Sequence, residues 1–233
     1  MTDYEYNYEF KAAKKNTKKE IMETFNSKMR SAFVSGINRA YRWCELWLQD
    51  PNNAPLVVNG RKKFTRGYVI GPAVDYFIVK EIIDSGIDLK VKLKYTSKDY
   101  PYIVLMDNDE SFELTINQTK KPDSTAKQAE FRDNLIDKYQ SSLFSIVDES
   151  VSAGAEDSKN YFQLTHGYQS EEPKYINLGI PQKNGTWKDY VNIMLLPQTI
   201  QKPSFNTEIA EYKNINLSEL QGYKYINEVV ENE

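Results

Sequence analysis

In 233 residues the chain has one cysteine, Cys44, and one histidine, His166. A single thiol excludes an internal disulfide, and one thiol with one imidazole falls short of the four protein ligands of a structural zinc site. No apolar run approaches the roughly 18 to 20 residues that cross a bilayer. The opening MTDYEYNYEFKAAKK lacks the apolar stretch behind a basic start that a secretory signal needs. The expectation is a soluble, cytoplasmic protein with no membrane partner. Also missing are a G-x-G-x-x-G after a strand, a phosphate cradle of the form G-x-x-x-x-G-K-[ST] and a G-x-S-x-G elbow. ATP- or NAD-driven chemistry is therefore not expected, and serine hydrolysis would have only His166 as its base. His166, next to Gly167 at a strand end, reads as a structural imidazole. Cys44 falls on an apolar helical face, where burial raises the thiol pKa and makes it inert.

What is present is enough apolar material for a packed core, 40% of residues, with 17 Tyr and 3 Trp among them. The abundance of Asn, Lys, Ile and Tyr suits an AT-rich genome, such as that of a low-GC bacterium or its phage. The net charge is only −3, but residues 1–66 hold 13 Lys and Arg against 7 Asp and Glu, which leaves the remainder strongly acidic. Such asymmetry can orient the N-terminal third toward a polyanion or acidic partner, or it can be two ordinary solvated surfaces.

The patterning predicts an α+β fold: a long N-terminal helix, an antiparallel or mixed sheet covered by helices, and C-terminal antiparallel strands. TDYEYNYEF alternates aromatic and polar residues like an edge strand, or a segment that adds to a partner's sheet. Thr17 and Glu20 form a capping-box signature. Ile21, Phe25, Met29, Phe33, Ile37, Tyr41, Cys44 and Leu48 then make one apolar face, with Gly36 the expected point of bending in so long a helix. Trp43 and Trp47 read as core anchors near its end. Residues 53–71 read as a loop or short hairpin, and a second helix is expected from Pro72 to Ser85, stopped by Gly86. From Asp88 the period becomes two, with Lys90, Lys92 and Lys94 on one side. Tyr102 to Met106 and Phe112 to Ile116 form a hairpin around the turn DNDE, and a third helix from Ser124 to about Val147 is expected to cover the apolar face of that sheet. DESVSAGAEDSK is a linker candidate, dividing residues 1–150 from three meander strands and a short helix near Ser218 in residues 151–233, with both parts packed into one domain.

Helix, strand, hairpin and helix in that order, with Asp99 before one hairpin strand and Glu113 on the next, resemble the core of PD-(D/E)XK nucleases over about Pro72 to Val147. In that family an Asp opens a strand and an acid-x-Lys triplet on the following strand completes a magnesium site. The resemblance implies Asp99 and Glu113 as catalytic metal ligands, with Asp75 or Glu81 adding a ligand from the helix. The triplet here is Glu113-Leu114-Thr115, so Lys92, Lys94 or Lys120 would have to supply the amine. Strand periodicity alone accounts for the same residues as the wet face of an antiparallel strand. Two functions follow. One is a non-catalytic binding or inhibitory protein acting through protein–protein contacts, such as a factor in host–phage conflict, with no cofactor. The alternative is a magnesium-dependent nuclease, or an inactive descendant that binds DNA through Arg61, Lys62, Lys63 and Arg66.

Overall fold

The computed structural model describes residues 17–52, 61–140, 160–167 and 170–198. The aromatic segment at residues 4–10, the linker and the helix expected near Ser218 lie outside them. Among the described residues, helices α1 (Thr17–Thr24), α2 (Ser27–Gln49) and α3 (Lys62–Asp84) precede strands β1 (Lys90–Tyr95), β2 (Pro101–Met106) and β3 (Phe112–Thr119). Helix α4 (Glu130–Gln140) follows, then β4 (Asn160–Gly167), β5 (Ile176–Pro181) and β6 (Trp187–Asn192). The six strands form one mixed sheet in the order β1-β2-β3-β4-β5-β6, in which only β3 and β4 run parallel. The C-terminal strands thus continue the sheet begun by the hairpin.

The apolar stripe along α1 and α2 is buried as expected, but the break between them falls at Asn26 and not at Gly36. Asn26 Oδ1 accepts the Met29 N–H at 3.0 Å and starts α2. Arg30 Nη1 closes α1 by donating to the Met22 carbonyl at 3.1 Å and to that of Phe25. Gly36 instead marks where α2 and α3 touch: a Cβ there would lie 2.9 Å from the Ile78 Cα. The Thr17 hydroxyl, expected to cap α1, donates to Asp189 Oδ2 on β6 at 2.5 Å and ties the helix to the sheet.

Helix α3 begins ten residues before the expected start, at Lys62, and runs through Pro72. Pro72 lacks only the N–H that would reach the Tyr68 carbonyl, and its ring sits on the exposed side, while Ile70, Ala73, Val74 and Phe77 anchor the helix on both sides of it. Gly86, at φ +57°, ends the helix as predicted, with Ile87 N donating to Ile82 O and Gly86 N to Ile83 O, each at 2.9 Å.

The two sheet faces are buried differently. Phe112, Leu114, Phe162, Leu164, Ile176 and Leu178 pack under α2 and α3 with Phe33, Ile37, Val74 and Phe77. The opposite face, expected to be wet, is roofed by α4: Glu113, Thr115 and Asn117 are 3%, 2% and 8% exposed. Helix α4 therefore covers the polar face, not the apolar one. Trp43 and Trp47 stack on each other, with centroids 6.2 Å apart, half-buried against the main core. No helix among the described residues is long and apolar enough to cross a membrane.

Candidate functional site

Asp99 and Glu113 are not brought together. Met106 faces Glu113 in the hairpin register, while Asp99 precedes Pro101 at the other end of β2. The five steps from Pro101 to Met106 alone span roughly 17 Å, far beyond the reach of two oxygens on one cation. Asp99 is exposed in the β1–β2 turn at φ 55°. Among the described residues no group of three or more His, Cys, Asp or Glu is placed to hold a metal.

Glu113 belongs to a buried polar layer under α4. Its carboxylate takes Lys94 Nζ at 2.9 Å on one oxygen and the Tyr139 hydroxyl at 2.7 Å on the other. Burial alone would raise its pKa, but these two hydrogen bonds and the charges of Lys94 and Lys138 outweigh it, and the pKa is lowered. The layer continues through Thr115 Oγ1 to the Tyr161 hydroxyl at 2.8 Å and through Gln163 Nε2 to the same hydroxyl at 3.1 Å. Arg132 Nη2 donates to Asn117 Oδ1 at 2.7 Å. These contacts link β1 to β3, β3 to β4 and β3 to α4, and join Tyr161 to Gln163 within β4. Strand periodicity revealed the spacing of these polar groups but carried no signal for the helix that would bury them.

The end of the sheet where β3 and β4 terminate gathers different chemistry. The β2–β3 pairing runs from Val104–Thr115 to Met106–Glu113, so Gln118 on β3 lies beyond it, towards this end. Gln118 Nε2 donates to the Gly67 carbonyl of α3 at 3.2 Å, which fixes the start of α3 over this end. One turn past Gly71, which also abuts Gln118, Asp75 is half-buried, and burial pushes its carboxyl up to about 7. Glu81, the other helix acid, is paired with Arg39 of α2 at 2.5 Å.

On β4, His166 is fully buried and its pKa is lowered to about 4 by loss of solvation. The Tyr41 hydroxyl donates to the Gly167 carbonyl at 2.5 Å and lies 2.8 Å from His166 Nδ1. With its one proton used on that carbonyl, the hydroxyl accepts from Nδ1–H, so His166 is a neutral strut between β4 and α2. Its folded pKa lies below the usual 6.5, so the stability it contributes is present above pH 6.5 and is lost as pH falls toward 4. In urea unfolding followed from pH 7 to pH 5, the midpoint of the wild type is expected to fall relative to that of His166→Gln, a comparison in which the Asp75 carboxyl, titrating near 7 in both proteins, cancels. Equal slopes would mean that His166 is solvated. Cys44 is fully buried and its thiol is pushed up to about 11.

The four basic candidates lie at the start of α3 but do not act alike. Arg66 is buried, and its Nε donates to Glu45 Oε1 at 2.5 Å. Lys62 lies 3.6 Å from the other oxygen of Glu45, whereas Arg61 and Lys63 are exposed. Lys62, Lys63 and Arg66 form one wall of an open cleft whose other wall is Ser170, Glu171, Glu172 and Lys174 from the β4–β5 connection. Beside it, on the outer face of α3, Phe64 and Tyr68 are 62% and 83% exposed. Tyr95 and Tyr100 are exposed around the β1–β2 turn of the same sheet end. Sequence reasoning missed this aromatic ridge because it read residues 53–71 as a loop, in which Phe64 and Tyr68 have no common face. Compared with protein-family models, curated proteins and solved structures, the chain gives no match.

Proposed function

We propose that this is a non-catalytic binding protein that meets a protein partner at the sheet end where α3 begins. The observation that carries the reading is the Phe64–Tyr68 pair, two large aromatics one helical turn apart, left in water by a helix whose other side is core. Aromatic side chains and arginine are enriched among the residues that dominate protein interfaces. The neighbouring surface has both signs of charge, Arg61 and Lys63 with Glu171 and Glu172, which suits a protein surface better than a uniformly anionic one. A photoreactive phenylalanine analogue placed at position 64 or 68 is expected to crosslink the same discrete polypeptide in cell extract, in a nuclease-resistant product that excess wild-type protein suppresses. The control is position 83, an exposed site at the far end of α3. Equal yield from position 83, or products removed by nuclease, would refute the reading.

A second reading, the nuclease-like protein or its DNA-binding descendant, is favoured by one specific placement. Gln118 and Lys120 repeat the acid-x-Lys spacing with an amide for the acid, at the C-terminal end of β3. Plasmid, single-stranded DNA and RNA incubated with Mg²⁺ or Mn²⁺ test it. Cleavage lost in Lys120→Ala but retained in Glu113→Gln supports it. Neither cleavage nor salt-sensitive binding removes it.

A further inference from the structure

The cleft between the first turn of α3 and the β4–β5 connection is built as though to hold an anion, and Glu171 already stands in it as one. Four cations, Lys62, Lys63, Arg66 and Lys174, line it against two acids, Glu171 and Glu172. The Arg66 side chain is only 6% exposed, and its two acidic partners differ: Glu45 is 20% exposed and shared with Lys62, whereas Glu171 is 74% exposed and touches Arg66 Nη2 at 3.4 Å. Glu45 is thus the fixed counter-ion, and Glu171 is a replaceable one held by a single long contact. Lys63 and Lys174 are exposed on opposite walls, one on α3 and one beyond Glu171, so a ligand seated between them would meet both amines.

We propose that this cleft binds a terminal phosphate, with Lys63, Lys174 and the exposed edge of Arg66 as its ligands and Glu171 as an internal competitor that the phosphate displaces. A phosphate monoester has more charge than one carboxylate and more oxygens to share among three cations, so it outcompetes Glu171, which has a single oxygen near Arg66. The site adjoins the aromatic ridge but uses neither Phe64 nor Tyr68, so phosphate titration does not depend on the crosslinking result.

The experiment is calorimetric titration of the full chain at low, matched ionic strength with orthophosphate, pyrophosphate, 5′-AMP and adenosine. The first two report a free phosphate and the third a nucleotide's phosphate, while adenosine reports recognition of the base. Glu171→Gln is expected to tighten phosphate binding roughly two- to fivefold, the range of one exposed ion pair. Lys63→Met/Lys174→Met is expected to weaken it by about tenfold or more. All three positions are exposed, so the fold is retained, and unchanged circular dichroism confirms it. Both shifts are required. Binding unchanged by either variant, absent from wild type and Glu171→Gln alike, or as tight for adenosine as for AMP overturns the assignment.

Discussion

Phe25→Ala is expected to cost about 3 to 5 kcal/mol of unfolding free energy, the range for truncating a fully buried aromatic ring. Phe25 has no exposed surface and sits where α1 gives way to α2. Its ring meets Phe112 on β3 and Phe162 on β4 edge-on, with centroids 4.9 and 5.0 Å away, and Phe33 on α2 at 6.1 Å. Those strands are the parallel pair, so this one side chain joins the helical layer to the only non-local strand pairing in the sheet. Because α1, α2, β3 and β4 all contribute to the cavity wall, the hole has little room to collapse. Urea denaturation should show the midpoint lowered by about 1.5 to 2.5 M at a slope near about 2 kcal/mol/M. Phe25→Leu should cost much less, since it keeps most of the volume. A loss below about 1 kcal/mol for alanine would mean that α1 rides loosely on the sheet and that the joint relaxes into the gap.

How far such contacts were legible in the sequence depends on how local their cause is. The Gly86 stop, the lysine side of β1 and the DNDE turn were readable because each is decided by a few neighbouring residues and by backbone sterics. The Asn26 break was hidden by an apolar period that runs straight through it, and Gly36 was misread because its smallness serves the close approach of Ile78, a residue on another helix. Pro72 was taken as a helix start, although the core contacts of Arg66 and Ile70 upstream of it outweigh one missing hydrogen bond. The parallel β3–β4 pairing cannot be read from either strand, since it is made only after α4 has crossed between them. The same long-range step turned a presumed wet face into a buried polar layer. The separation of Asp99 from Glu113 is local by contrast: Glu113 lies beside the DNDE turn and Asp99 before the far end of β2, so the hairpin itself keeps them apart.

Glu113 gives the sharpest test of that layer, because its carboxylate is charged and its side chain only 4% exposed. Lys94→Met removes the amine at 2.9 Å and leaves, among the described residues, the Tyr139 hydroxyl and Lys138, whose Nζ is 4.0 Å away. The expected loss at pH 7 is about 3 kcal/mol, the penalty of a buried charge stripped of its partner. In the wild type, Glu113 has a lowered pKa, so its stabilisation is present above the normal carboxylate range and is lost as pH falls through the folded value. In Lys94→Met burial is no longer outweighed and the folded pKa rises above its unfolded value. The deficit is then full at neutral pH and shrinks as the carboxyl protonates on acidification. Chemical denaturation at pH 7 and pH 5 should therefore show the variant converging on the wild type. Lys94→Met/Glu113→Gln, which keeps an acceptor for Tyr139 without the charge, should recover to within about 1 kcal/mol at pH 7. A deficit that does not vary with pH would mean that Lys94 acts by packing alone. One relieved by millimolar magnesium would make Glu113 a cation ligand after all, and would return the metal chemistry of the family resemblance to the α4 side of the sheet.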